Sequence, residues 1–480
     1  LAALAVGASI YVSLALALSG VVQALLPGVA QRLGRDDPAG AAHLIRQSFW
    51  LVLMLAALGD LLLIFPGWMI AFAELPPSVA ALTADYLQVL AWSLPASLGY
   101  RAFHAIAGGV GRTRPLMWLS LGQTSGHALL SPVLADTVSV GDWTIGLGLG
   151  AVGAAGSQAI LAWAVCLTGL WVLWRAPNYR RLLGDAGLRP GWPQWKAQQS
   201  LLRIGVPMGL SYFVEISAFT LMAIFIARLG PEVLAGHRIV ANISAMVYMF
   251  PLAIGTATAA LVGQADGAQN VRETRLVIQS GFVIAGTGSL AVALLLWFLR
   301  EPLASLGSPD PGVIAVAVGF IAYVAAYQLS DAIQTIAGFA LRGYHVTFVP
   351  LGVHLAAFWL LGLGGGYWLA FVGFTGLGIA PMGAAGFWCA AWGATLVAAL
   401  PAAWLASRIV ANPLRHLAGE ARAIGEFDFD RPVATRSVVL EVDQLAGAMD
   451  SMKKTIRGFL DISASLSAEQ RFGRLLQRIV

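Results

Sequence analysis

The sequence predicts an all-α polytopic membrane protein: two parallel-repeat helical lobes followed by a C-terminal coiled-coil helical module. Three observations predict it. The 480 residues are 58% hydrophobic and only 11% charged, with a mean hydropathy of +0.76. The apolar residues gather into eleven runs on the scale of a bilayer crossing, which takes about 20 residues. The chain also repeats itself at an offset near 233.

The runs lie at roughly 3–30, 47–65, 80–107, 115–136, 150–174, 204–228, 234–262, 274–299, 312–340, 346–371 and 378–407. No alternating strand pattern accompanies them, which argues against a closed barrel. Basic residues follow every second run: Arg32, Arg35 and Arg46; Arg112 and Arg114; Arg175, Arg180, Arg181, Arg189 and Lys196; Arg272 and Arg275; Arg342. By the positive-inside rule these connections are cytoplasmic. The net charge of +5 is therefore spread over short loops, not gathered into a nucleic-acid patch. Cys166 and Cys389 fall mid-run and read as small core residues. No charged leader precedes the first run.

Four echoes in the same order carry the repeat. Leu1–Ile10 matches Leu234–Ile243, and Gln31-Arg-Leu-Gly34 matches Gln264-Ala-Asp-Gly267. Ile106-Ala-Gly108 matches Ile336-Ala-Gly338, and Gly153-Ala-Ala-Gly156 matches Gly383-Ala-Ala-Gly386. Corresponding runs enter the same side, so the repeats are parallel about an axis along the membrane normal. The run at 204–228 has no counterpart in the first half, so the sequence predicts a twelve-span parent lacking its first helix here. The segment 175–203, with Pro177, Pro190, Pro193, Trp192 and Trp195, reads as a cytoplasmic linker. The expected domains are a first lobe over 1–190, a second over 191–407 and the tail module over 408–480.

Two carboxylates stand well inside apolar runs, Glu215 and Asp331. A charge at mid-membrane costs about 3 kcal/mol even on lenient insertion scales, and such residues usually face a cavity. Tyr327 and Asp331 are four apart and share a helix face, which Thr335 continues; Ser211 and Glu215 do the same. Facing stripes would make a small chamber of carboxylates and hydroxyls, suited to a hard monovalent cation or shared protons. The competing reading is a structural hydrogen bond between protonated side chains. His127 is mid-span, either a satisfied core histidine or a proton relay. No His/Cys cluster has metal spacing. No phosphate-binding glycine loop precedes a Lys-Ser/Thr pair, and no nucleophile–base pair suggests an enzyme. Gly362-Leu-Gly-Gly-Gly366 reads as a weak point in its helix.

The strings Gly205-Val-Pro-Met-Gly-Leu-Ser-Tyr-Phe-Val-Glu215 and Gln328-Leu-Ser-Asp331, running on to Leu341-Arg-Gly-Tyr344, resemble the bacterial branch of the multidrug and toxic compound extrusion (MATE) transporters. Ala235-Gly-His237 and Phe250–Gly255 add to the likeness, which covers about residues 1–405. The resemblance implies two six-helix lobes exporting lipophilic, often cationic compounds in exchange for sodium or protons, with no other cofactor. It implies that Glu215 and Asp331 are coupling-cation residues, with Tyr327 nearby. Ser211, Thr335 and His127 are further cavity candidates. The chain departs from the family at Gln123, Ser125, His127 and Ser131, where asparagines are usual, and at Arg238.

Residues 1–407 hold 33 charged residues and the last 73 hold 20, a change from lipid to water. Pro413 opens a helix with Leu414, Leu417, Ala421 and Ile424 at 3-4-3 spacing. Gly425–Pro432 breaks it. Val442, Leu445, Met449, Met452, Ile456 and Phe459 then form a coiled-coil seam, which implies a dimer of the tail. Ile409-Val-Ala-Asn-Pro413-Leu, the connector and Glu441-Val-Asp-Gln-Leu445 resemble a HAMP linker, and 459–480 looks like the lead-in to a truncated output region.

The expected function is secondary export by alternating access in the bacterial plasma (inner) membrane, with the tail cytoplasmic. Two other readings compete. One is a membrane receptor signalling through the HAMP unit. The other is a lipid-linked glycan flippase, which should show a more cationic cavity.

Overall fold

The computed structural model describes residues 2–72, 76–140, 143–184, 186–373, 380–399, 422 and 447–460. The chain divides into two compact units, Leu1–Ala402 and Ala403–Val480.

In the first unit α1 (Ala2–Val22) and α2 (Leu25–Gly34) make one bent passage, followed by α3 (Pro38–Ile64) and the short α4 (Gly67–Phe72). α5 (Pro77–Ala91) and α6 (Leu94–Gly109) make a second broken passage, and α7 (Arg114–Ala135) a fourth crossing. A hairpin of two three-residue strands, β1 (Val138–Val140) and β2 (Trp143–Ile145), pairs Ser139 with Thr144 before α8 (Gly150–Arg175). α9 (Pro177–Leu183) starts the connector. The second half runs α10 (Trp195–Ala227), α11 (Pro231–Gly267), α12 (Val271–Phe298), α13 (Arg300–Gly307) and α14 (Pro311–Gly343). α15 (Phe348–His354) continues as a π-helix over Leu355–Gly365 into α16 (Gly366–Phe371), and α17 spans Ala384–Ala399. In the second unit the described helix is α18, 447–460.

Among the described residues eleven helical passages thus stand where the sequence placed eleven runs. Eight are long and apolar enough on their own to cross a bilayer. The others are explained locally: one is broken at Trp92 and Ser93, α7 is diluted by Ser, Gln, Thr and His, and α17 is described over 384–399 alone. Two helices start about nine residues before their apolar runs. α3 begins at Pro38, where Asp37 caps the helix by accepting from the Gly40 N–H at 2.8 Å and pairs with Arg32 at 2.9 Å. α10 begins at Trp195. Hydropathy finds the part of a helix that lies in lipid, not the turns that project from it. The Gly40 N–H and then Arg32 hold the Asp37 carboxyl below the usual range, so its cap is intact at neutral pH and weakens as pH falls through that lowered value.

Burial is graded as a bilayer solvent requires. Half of the hydrophobic window of Val6–Gly34 is buried against protein, but only 22% of that in Val271–Phe298 and 17% in Phe348–Phe371. The peripheral helices present Ile284, Leu294, Phe298 and Leu360 outward, as lipid-facing surfaces do. In the connector, Gln47 of α3 donates to Trp192 O at 3.0 Å and accepts from the Gln194 N–H at 2.9 Å, which pins the linker onto α3. The indoles of Trp192 and Trp195 stay exposed.

The break between α5 and α6 is satisfied by side chains. Pro95 cannot donate to Ala91, and the carbonyls freed around it find partners. Ser93 Oγ donates to Leu90 O at 2.6 Å, Tyr11 Oη lies 2.8 Å from Ser93 Oγ, and the Trp163 indole donates to Trp92 O at 2.9 Å. Tyr11→Phe should lower stability by about 1 kcal/mol, the net worth of one buried hydrogen bond. Thermal unfolding of the detergent-purified protein measures it.

The two halves meet along small residues. A Cβ at Gly20 would lie 2.6 Å from Gly209 Cα, and Gly205 and Gly209 press on the carbonyls of Val21 and Ala17, so α1 and α10 run in backbone contact. At the ends of α2 and α11 the repeated motifs touch each other. A Cβ on Gly34 would collide with the Gln264 carbonyl, and one on Gly267 with the Gln31 carbonyl. Gln31 Nε2 donates to Asp266 Oδ2 at 2.8 Å, both side chains buried, and Gln264 Nε2 donates to Gly109 O at 2.9 Å. A two-fold relation between the halves produces this reciprocity.

Candidate functional site

The C-terminal part of α14, from Ser330 to Gly343, is buried at every residue but Ile333; Asp331 has 5% of its surface exposed. Along this helix Asp331, Thr335, Gly338, Phe339 and Arg342 recur at i, i+4, i+7, i+8 and i+11, one continuous stripe. That stripe forms one wall of a cavity of at most about 280 Å³. α10 contributes Glu215, α11 Tyr248, α15 His354, and the π-helix Phe358. Gln334 of α14 also faces it.

The two sequence-predicted carboxylates are therefore brought together from different helices. Glu215 is partly buried and lines the cavity, and Asp331 is close enough for their charges to interact. Thr335 lines the same space. Tyr327 sits one turn before Asp331, but its hydroxyl is engaged with Ser244 Oγ of α11. It braces α14 against α11 and does not line the cavity. Ser211 is one turn before Glu215, and its hydroxyl donates to Pro207 O at 2.9 Å on its own helix. That bond uses an acceptor near Pro207, where the helix ladder is interrupted. His127 is in the first lobe, sharing a 3.1 Å hydrogen bond with Ser157 Oγ of α8, and is not a lining residue of this cavity.

Four lining groups were not anticipated. Gln334 Oε1 is buried with no hydrogen-bond partner, an amide oxygen open to a cation. Tyr248 offers a phenol and His354 an imidazole. The fourth is Arg342, expected in a cytoplasmic loop after its span. It belongs to α14 itself and is 3% exposed. Its guanidinium lies over the Phe339 ring at 4.5 Å and the Tyr212 ring at 5.2 Å, and donates to Tyr212 Oη at 3.3 Å. Its spacing from Asp331 was readable as the same stripe, but positive charge near a span end reads first as a flank. Trp359 of the π-helix donates to Val214 O at 3.1 Å, which locks the widened segment onto α10 one residue before Glu215. The glycines of Gly362–Gly366 were read as a weak point, and the segment containing most of them is this π-helix.

The donor set is carboxylate, amide, hydroxyl and phenol oxygen. Hard cations take such ligands. Among the described residues no group of three or more His, Cys, Asp or Glu side chains is placed to hold a metal. The cavity is small, at most about 280 Å³ with space open to solvent included, and suits an ion.

Comparison with known proteins follows the same lines. The MatE family model matches residues 1–133 and 207–368, and the HAMP domain model matches residues 405–458. The chain is 43% identical over 416 residues to the "Probable multidrug resistance protein NorM" of Aromatoleum aromaticum, covering 86% of this chain and 87% of that one. It is 33% identical to the "Multidrug resistance protein PmpM" of Pseudomonas aeruginosa, covering 81% and 80%. Among solved structures it is similar to the eukaryotic MATE transporter AtDTX14, with a TM-score of 0.75 at 16% identity over 94% of this chain and 90% of that one. It is also similar to an outward-facing multidrug resistance MATE transporter of the MOP superfamily, with a TM-score of 0.76 at 18% identity over 86% and 88%. These structural likenesses are evidence of fold alone.

Proposed function

This chain belongs to the MATE family of multidrug efflux transporters, and from that premise we propose that it exports lipophilic or cationic compounds by antiport with sodium or protons. One observation carries the mechanism: Glu215 and Asp331, from separate helices of the second lobe, open onto one cavity lined by oxygen ligands. A cation or proton entering it neutralises a buried negative charge. Its departure restores that charge and shifts the preferred placing of α10 against the helices that line the cavity. Ligand-dependent bias of two packed arrangements is what alternating access requires. The lobes assigned to this rocking are 1–190 and 191–407, with the C-terminal tail, 408–480, on the cytoplasmic side of the bacterial inner membrane.

The experiment uses the full chain reconstituted in liposomes with ethidium as the transported dye. An inward-directed gradient of sodium or of protons should drive ethidium out, and at least one of the two should act alone. Dye movement indifferent to both gradients would sink the proposal.

The HAMP match supports a second, compatible reading, in which the membrane helices also pass motion to the tail. In α18 the seam residues Met452 and Phe459 are exposed, 47% and 71%, and could take a second copy of the chain, whereas Met449 of the same seam is already buried. Removing 408–480 separates the readings: retained dye export makes the transporter the primary activity. Met452→Glu should shift the detergent-purified protein from dimer to monomer in light scattering. The relatives named above are multidrug resistance proteins, and the one arginine of the cavity, Arg342, stands against two carboxylates, which is not the cationic chamber expected of a glycan flippase.

A further inference from the structure

We infer that Arg342 is a fixed internal counter-charge that limits the Glu215–Asp331 cavity to one monovalent cation at a time. The inference rests on the cation-coupled reading above and adds the number of ions to it.

Arg342 is not a cation reaching for lipid headgroups. Two aromatic faces, Phe339 and Tyr212, and one phenol oxygen hold its guanidinium in the protein. Arginine stays protonated in any folded protein. Arg342 lies within electrostatic reach of Glu215, which in turn lies within reach of Asp331. The three charges therefore line one cavity, Asp331 and Arg342 from the α14 stripe and Glu215 facing them from α10. Charges removed from water persist only when they are compensated. Two ionised carboxylates carry two negative charges, and the guanidinium cancels one. The other titratable groups near the three charges are Tyr212 of α10, Tyr248 of α11, Tyr327 of α14 and His354 of α15, and as neutral side chains they add no charge. One negative charge remains. One proton on either carboxylate cancels it, and so does one sodium ion between them. With both carboxylates and no guanidinium, the same cavity would require two.

A single vacancy also makes the two ions exclusive. A sodium ion can enter a protonated cavity only as the carboxyl proton leaves, so sodium uptake should release one proton per ion bound.

The test counts bound cations by linkage in the full-length protein in detergent. Thermal stability is followed against sodium activity at fixed pH, with choline holding the ionic strength, and against pH at fixed sodium. The slope of stability against the logarithm of cation activity gives the number of cations taken up by the folded state. Arg342→Gln should raise the summed sodium- and proton-linked count by one over wild type. Arg342→Lys, which keeps the charge, should restore the wild-type count. So should Arg342→Gln combined with Glu215→Gln, which rebalances the cavity. Equal counts in wild type and Arg342→Gln would overturn the inference. If Arg342→Gln does not yield folded protein, the double variant decides: recovery of folded protein with one linked cation supports the counter-charge, and failure to recover rejects it. Asp331→Asn separates this inference from its premise. Cation linkage undiminished by Asp331→Asn refutes the coupling site itself. Linkage lost in Asp331→Asn but unchanged in Arg342→Gln refutes the counter-charge alone.

Discussion

Asp331→Asn should reduce cation-driven ethidium efflux from proteoliposomes to the level of empty liposomes, at least a tenfold loss, without unfolding the protein. The substitution keeps the shape of the side chain and removes its charge and its proton site. Asp331 is 5% exposed, and the other carboxylate lining its cavity is Glu215, which alone is placed to substitute for it. One acid alone beside Arg342 forms an internally neutral pair and has no use for a further cation. A gradient then has nothing to act on. Stability should move the other way. A carboxylate taken out of water loses several kcal/mol of hydration, and a neutral amide loses much less. The melting temperature of Asp331→Asn should therefore equal or exceed that of the wild type. Efflux and melting temperature falling together would indicate a merely structural aspartate, and unchanged efflux would end the assignment.

Gly34→Ala should loosen the contact between the lobes at the ends of α2 and α11. Gly34 is helical, so the added methyl carries no backbone penalty, and its whole effect comes from meeting the Gln264 carbonyl. That atom is main chain and cannot rotate away. Overpacking of a tight contact costs about 1–3 kcal/mol. Each 1.4 kcal/mol is tenfold in an equilibrium, so the closed arrangement should lose about 5- to 150-fold in population relative to the open one. Gly267→Ala should behave alike through the Gln31 carbonyl. Ala30 is fully buried beside this contact. A cysteine placed there, with Cys166 and Cys389 replaced, should react with a maleimide several-fold faster in the Gly34→Ala background. Equal labelling rates in the two backgrounds would show that the contact does not hold the lobes closed.

Much of this was legible in the sequence for a definite reason. The bilayer selects helices of fixed length, so eleven apolar runs translate into eleven passages with little ambiguity. Glu215 and Asp331 announced themselves because charge in an apolar run is costly. What the sequence concealed followed from the same logic. Arg342 looked like an ordinary flanking base because hydropathy marks where lipid ends and not where a helix does. Gln334, Tyr248 and His354 carry no fixed charge, so they do not interrupt an apolar run as a carboxylate does. Their role appears only when α10, α11 and α15 close around α14. Tyr327 is one turn before Asp331, as its spacing requires, but its hydroxyl bonds to Ser244 of α11 and the residue does not line the cavity.

The mutual contact of Gln31-Arg-Leu-Gly34 with Gln264-Ala-Asp-Gly267 makes the seam between the halves isologous, in the manner of a two-fold homodimer. A half-length polypeptide carrying one such motif could dock on its own twin through the same glycine and glutamine. Gene doubling and fusion would then have preserved a joint that already existed between separate subunits. The surviving asymmetry is chemical: Asp266 faces Gln31, whereas position 33, its counterpart, is a leucine. Only one of two once-equivalent hydrogen bonds remains, so the present hinge is free to part more readily on one side than on the other.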